Sequence, residues 1–255
     1  MIKSEHIYGD SKRLFLNTEL GCASACTYCY LPSEGFGIGL NKSELTYRIE
    51  AETLINALER DPRVKFGKDG TLLSIGCFSE AWDPRNREGT IQAIKALLPY
   101  GNPLQLATKR KIGVEDLRKI TSCPAWQGQL SIYISSATIS HWRDYEPLTV
   151  SPAKRFESFD SCSVFGVDVC LYIKPLIPSI TIKDVDQYGA LMEKYKIVSI
   201  VGERFTVAQQ GTTSPISKTL FINQNDETRI MRERLSVYGH VFTKSEFALA
   251  HLRKI

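Results

Sequence analysis

The sequence predicts an α/β fold built on a parallel sheet. Strand-like and helix-like segments alternate from end to end of the 255 residues. The strand-like segments are short apolar runs, as expected of parallel strands covered by helices on both faces. About six strand–helix units follow one another, short of the eight that close a full barrel. A hydrophobic content of 43% and a charged content of 24% allow an ordinary globular core.

Taken in order, Arg13–Leu16 reads as a short strand that feeds a cysteine-rich loop. Residues Glu44–Arg60 read as a helix, with Leu45, Ile49, Leu54, Ile55 and Leu58 near helical spacing, Ser43 as N-cap and Asp61-Pro62 as the stop. Thr71–Ile75 is an apolar strand, and Arg87–Leu98 a helix ending at Pro99-Tyr100-Gly101. Leu104–Ala107 is the next strand. Gly113–Ile120 is a helix whose early acids and late Arg118 and Lys119 complement its dipole. Leu130–Ile134 is a strand, and Ser151–Cys162 a helix with Pro152 suited to its first turn. Val167–Ile173 and Ile197–Val201 are strands flanking a helix over Lys183–Tyr195. No repeat or linker interrupts the series, so residues 1–255 read as one domain, with a barrel core over about 13–204 and an extension over 205–255.

The loop after the first strand carries the chemistry. Cys22, Cys26 and Cys29 fall within eight residues. So tight a run cannot form a disulfide framework, but it can clamp metal. Iron–sulfur clusters are usually held by four thiolates. Here no further Cys or His occurs before Cys77. One iron would lack a protein ligand, and an open coordination position is where a metal site does chemistry. A zinc knuckle lacking its fourth ligand is the competing reading, although zinc sites usually pair C-x2-C with a second such pair or with histidines.

In parallel α/β folds, function collects at the C-terminal ends of strands. The predicted ends are Ser74-Ile-Gly-Cys77-Phe-Ser79-Glu80, Ala107-Thr-Lys109-Arg110, Ile134-Ser135-Ser136, Tyr172-Ile-Lys174-Pro175 and Val201-Gly-Glu203-Arg204. Reactive and polar groups at every end favour a site over six independent caps.

The spacing of Cys22, Cys26 and Cys29 resembles the signature of the radical S-adenosylmethionine (SAM) enzymes. Gly21-Cys22, Cys26-Thr-Tyr28-Cys29-Tyr30-Leu31, Cys77-Phe-Ser79-Glu80, Thr108-Lys109, Glu146-Pro147 with Ser151-Pro152 and Arg155, and Lys174-Pro-Leu-Ile-Pro178 together resemble the spore photoproduct lyase-like group. The resemblance implies a partial (β/α)6 barrel of the radical SAM type. It implies a [4Fe-4S] cluster on Cys22, Cys26 and Cys29, with SAM on the open iron. Ser79, Glu80, Lys109, Ser135, Arg155 and Lys174 become candidates for contacting SAM or substrate. Cys77 matches a thiol that gives hydrogen to a product radical, and Tyr28 and Tyr30 match tyrosines that relay the radical onward. It also implies a reductant such as flavodoxin or ferredoxin.

Seven cysteines, an odd number, argue against a secreted disulfide scaffold. No apolar run is long enough to span a bilayer, and Met1–His6 lacks a signal-peptide core, so the expected compartment is a reducing cytoplasm. Cys123, Cys162 and Cys170 match no cluster motif and are expected to be buried. The net charge of +4 is matched by the excess of Arg229, Arg232, Arg234, Lys244, Arg253 and Lys254 over Glu233 and Glu246. The resemblance implies a nucleic-acid-type substrate, a thymine lesion in DNA included, and this segment with Lys109-Arg110-Lys111 could contact phosphates of DNA or RNA. A small metabolite or peptide substrate and a non-catalytic iron–sulfur carrier compete with it.

Overall fold

The computed structural model describes residues 3–39, 47–122, 124–202 and 226–253. Strands are β1 (Ile7–Gly9), β2 (Arg13–Leu16), β3 (Glu19–Leu20), β4 (Tyr47–Arg48), β5 (Leu72–Ile75), β6 (Leu104–Thr108), β7 (Leu130–Ser135), β8 (Asp168–Ile173), β9 (Val198–Val201) and β10 (Val241–Phe242). Helices are α1 (Ala51–Leu58), α2 (Arg87–Leu97), α3 (Val114–Ile120), α4 (Trp142–Tyr145), α5 (Pro152–Val164), α6 (Val185–Tyr195), α7 (Asp226–Leu235) and α8 (Ser245–Leu252).

The six predicted strands form a parallel sheet in chain order, β2-β5-β6-β7-β8-β9. Two strands absent from the sequence reading extend it. β1 pairs antiparallel with β2 through a turn at Asp10, whose carboxylate accepts from the Lys12 and Arg13 amides at 2.8 and 3.1 Å. β10 pairs parallel with β9 at the far edge, so the sheet runs on into the C-terminal segment. Arg13 of β2 reaches the helix that follows β10, its guanidinium donating to the Ser245 hydroxyl at 3.2 Å. This is the partial barrel that the resemblance implies.

The strands do not bury both faces against helices as expected. Their convex face is apolar: Leu14, Leu16, Leu73, Ile75, Leu104, Leu106, Ile132, Ile134, Leu171 and Ile173 pack against the helical layer. Each such fully buried Leu or Ile is worth about 1.5–3 kcal/mol relative to exposure. The concave face carries Phe15, Ser74, Gln105, Ala107, Ser135, Tyr172 and Ile200, which line a cavity. Curling the sheet leaves no room for a second helical layer inside. Among the described residues, helix α8 reaches this face, setting Ala248 against Tyr133, Cys170 and Ile200.

Local sequence explains most boundaries. Pro152 opens α5 behind Ser151, whose hydroxyl accepts from the Lys154 amide. Helix α3 keeps Glu115 and Asp116 in its first turn and Arg118 and Lys119 in its last. The helix expected over 44–60 is corrected to Ala51–Leu58. Tyr47 and Arg48 instead pair as β4 with β3, anchored by the Arg48–Glu19 ion pair at 3.1 Å. Ser43, Leu45, Cys123, Glu203, Arg204 and Lys254 lie outside the described residues. Cys162 and Cys170 are fully buried, as expected.

Several of the basic residues have partners within the chain. Arg229 pairs with Glu233, Arg234 with Asp186, and Arg232 donates to the Val201 carbonyl at 3.1 and 3.3 Å. Arg253 lies over the Trp126 ring. Arg110 binds Asp83 at 3.0 Å, and Lys111 pairs with Glu157. The Arg229, Arg234 and Lys111 pairs lie at the surface, where an ion pair is weak enough to yield to a phosphate. Charge counting along the chain cannot see the partners that folding supplies.

Candidate active site

Every predicted strand end opens onto one cavity of about 560 Å³. Its upper wall is the cysteine loop, which is clamped from both sides. The Cys22 amide donates to the Gly37 carbonyl at 2.9 Å, and the Gly39 amide returns a bond to the Cys22 carbonyl at 2.9 Å. On the other flank, the Ala25 and Thr27 amides reach the Pro147 and Tyr145 carbonyls at 3.3 and 3.0 Å. Gly21, with φ of 100°, turns the chain out of β3 into this loop.

Cys22, Cys26 and Cys29 are free thiols, and all line the cavity. Burial pushes Cys22 and Cys26 up to about 12 and raises Cys29, so metal loading must displace protons here. Among the described residues, no set of Cys, His, Asp or Glu converges on a single-ion position. A cluster asks for something looser, since each thiolate binds its own iron. Three neighbouring cavity thiols on a clamped loop fit that donor set.

Cys77 and Tyr30 meet at one edge of the loop. The Tyr30 hydroxyl donates to the Cys77 carbonyl and lies 3.6 Å from the Cys77 sulfur. Burial raises both pKa values, so thiol and phenol keep their hydrogens at neutral pH. Gly76 sets this pair: its φ is 82°, and a Cβ there would lie 2.8 Å from Ala81.

Tyr28 sits on the opposite flank. Its hydroxyl donates to Glu146, which also accepts from the Arg155 guanidinium at 2.5 Å. Glu146 and Arg155 are both fully buried. Arg155 further donates to the Ser135, Val150 and Thr149 oxygens at 2.9, 2.8 and 2.6 Å. It stands behind the cavity wall, positioning Ser135 and Tyr28, and does not line the cavity. Glu146→Gln or Arg155→Ala leaves a buried charge unpaired, so each is expected to cost about 3–5 kcal/mol. Urea unfolding reads this directly; a loss below about 1 kcal/mol would contradict a structural ion pair.

Glu80 is held by the Thr108 hydroxyl at 2.5 Å and by the Lys109 and Trp82 amides at 2.9 and 3.1 Å. Ser79 accepts from Asn86 at 3.4 Å. The Lys109 ammonium lies 5.7 Å from the Tyr28 ring centroid. Burial works against its charge, but Cys26, Glu146 and Glu80 outweigh that and raise its pKa. Lys174 rests against Gly202, where a Cβ would lie 2.7 Å from the lysine chain. Ser79, Glu80, Lys109, Ser135 and Lys174 thus share the cavity with the cysteines.

Sequence reasoning missed Arg13, Gln105, Thr243 and Ser245, which also line it; Tyr172 fell in a predicted strand end, and Lys244 and Glu246 entered only as charges. Only the strand ends were read, whereas Arg13 and Gln105 sit within strands. The signal for Gln105 was a polar residue inside an apolar run; Arg13, opening its strand after Ser11-Lys12, carried no such signal.

No family model matches the chain. The dual-specificity RNA methyltransferase RlmN of Wolinella succinogenes is 30% identical over 105 residues, 41% of this chain and 26% of that protein. Streptococcus suis SuiB bound to S-adenosylmethionine superposes with a TM-score of 0.63 at 13% identity, over 92% of this chain and 51% of that one. A spore photoproduct lyase variant with dinucleoside spore photoproduct superposes at 0.60 with 14% identity, over 94% of this chain and 80% of that one. The chain thus spans about a quarter of the methyltransferase and about half of SuiB. Sheet order, cavity and these likenesses agree: the chain has the fold of the radical SAM superfamily.

Proposed function

We propose that this protein is a radical SAM enzyme in which Cys22, Cys26 and Cys29 hold a [4Fe-4S] cluster. The observation that carries this reading is the single cavity shared by those thiols and the Cys77–Tyr30 pair. When bound, cluster and SAM supply the electron and the carbon radical that abstracts hydrogen from a substrate. The residues do the rest. Ser79, Glu80, Lys109, Ser135 and Lys174 supply polar contacts for SAM and substrate. The enclosing barrel keeps water from the radical. Cys77 gives its S–H hydrogen atom to a carbon radical, because that bond is weaker than the C–H bond it makes. Tyr30 then gives its O–H hydrogen to the sulfur, leaving a phenoxyl radical. A carrier protein would need none of these groups.

A nucleic-acid-type substrate, a thymine lesion included, is supported by likeness to a lyase solved with a dinucleoside photoproduct and to an RNA methyltransferase. A peptide or small metabolite is the competing reading, supported by the likeness to SuiB, which is also solved bound to the precursor peptide SuiA. A flavodoxin- or ferredoxin-type protein would serve as reductant. Among the described residues no helix is long and apolar enough to cross a membrane. The test is anaerobic turnover with a dinucleoside photoproduct, an RNA fragment and a peptide mixture. The substrate is the one that raises 5′-deoxyadenosine formation over the SAM-only rate. Absence of SAM cleavage by reduced, iron-loaded protein would overturn the enzymatic reading.

A further inference from the structure

Arg110 follows Lys109 at the end of β6, and the proposed chemistry gives it no part. Its side chain is only 13% exposed. Its Nη2 donates to the Ser24 hydroxyl at 3.2 Å and to the Asp83 carboxylate at 3.0 Å. Its own amide donates to the Thr108 hydroxyl at 3.0 Å, which fixes the base of the side chain. Asp83 is buried in turn, and the Arg85 amide and side chain donate to it at 3.1 and 3.4 Å. A guanidinium held by a carboxylate and a hydroxyl keeps its charge in one place.

The second observation is what Ser24 touches. It lies between the first two cysteines of the loop, is buried and lines the cavity. Its amide donates to the Cys22 sulfur at 3.3 Å, and its carbonyl accepts from the Gly39 amide at 3.2 Å. Asp83, Arg110, Ser24 and Cys22 therefore form one line of polar contacts that ends on a thiol. The cation of the ion pair is bonded to the loop, and the anion is bonded to the cation. Reduction adds negative charge to an iron–sulfur cluster, so nearby charge and hydrogen bonds to sulfur set its potential.

We propose that Arg110 is a positioning residue for the cluster. Through Ser24 it fixes an amide on the Cys22 sulfur, and with Asp83 it sets how readily the cluster accepts its electron. The step affected is the transfer of one electron from the flavodoxin- or ferredoxin-type reductant, with no bond made or broken. This rests on the radical SAM reading of the cavity. It assigns Arg110 to the control of reduction and not to the binding of SAM or substrate.

The experiment is a potentiometric titration of the anaerobically reconstituted, SAM-free protein, followed by EPR of the reduced form. Arg110→Gln removes the cation and is expected to lower the potential. The reduced-to-oxidised ratio at a fixed poise should fall about tenfold, or about 59 mV for a one-electron couple. Asp83→Asn removes the anion and should shift the potential the opposite way. Ser24→Ala keeps the amide but cuts the bond to Arg110, and should lower the potential by less than Arg110→Gln does. Arg110→Lys keeps the charge without the fork and should fall between wild type and Arg110→Gln. Opposite signs for Arg110→Gln and Asp83→Asn separate this role from simple packing, because loosening the loop from either side would move both variants in one direction. The proposal is overturned if Arg110→Gln keeps its iron at an unchanged potential, if the two variants shift together, or if Ser24→Ala leaves the potential where it was. Should Arg110→Gln retain no cluster, the other pair decides. A raised potential in Asp83→Asn with a lowered one in Arg110→Lys supports the role, and any other pattern overturns it. Wild-type protein that takes up no iron–sulfur cluster would instead sink the parent reading.

Discussion

Replacing any one of Cys22, Cys26 and Cys29 by alanine is expected to abolish SAM cleavage and most iron retention. The argument is one of ligand number. A cluster in this loop has three protein thiolates, and the position left open is the reactive one. Removing a further ligand exposes a second iron and leaves two thiolates to hold the cluster. The backbone clamps at Gly37, Gly39, Tyr145 and Pro147 do not involve the cysteine side chains, so the loop should keep its fold. Loss of activity with retained secondary structure by circular dichroism is the expected pair of results. A single-alanine variant that still cleaves SAM at the normal rate would show that the lost cysteine is not a ligand.

Cys77→Ala is expected to separate initiation from product formation. The thiol is not on the cluster loop, and Tyr30 bonds to its backbone carbonyl, which alanine keeps. SAM cleavage should therefore persist. The substrate radical would lose its nearest hydrogen donor and end in an adduct or a side product. Tyr30→Phe should show a milder version, with first-turnover product formed and later turnovers slowed, because the hydroxyl 3.6 Å from sulfur is gone. The check is product analysis by mass spectrometry alongside 5′-deoxyadenosine counts. Normal product at the normal rate from Cys77→Ala would end the donor assignment.

The division between what was legible in the sequence and what was not follows from locality. Strand order and the cysteine loop were readable because apolar runs and C-x3-C-x2-C spacing are local patterns. The cavity membership of Ser79, Glu80, Lys109, Ser135 and Lys174 follows from the rule that parallel strands present their C-terminal ends together. Arg155 was placed among possible ligand contacts because a charged residue near a motif looks functional. Its full burial against Glu146, nine residues earlier, depends on how the intervening segment packs, and charge beside a motif does not reveal that. The same holds for β4, where pairing with β3 overrides a helical periodicity that continues only from Ala51. Helix α8 was unreadable for another reason: its apolar residues Ala248, Leu249 and Leu252 fit a surface helix equally well. Only the missing inner layer of a curled sheet calls such a helix inside.

The most direct test of the central claim is iron and sulfide analysis of anaerobically reconstituted protein, with EPR of the reduced form before and after SAM is added. The account predicts about four irons and four sulfides per chain, the stoichiometry of the [4Fe-4S] type, and a signal that changes when SAM is added. Stoichiometric zinc without iron uptake, or an iron signal indifferent to SAM, would contradict it.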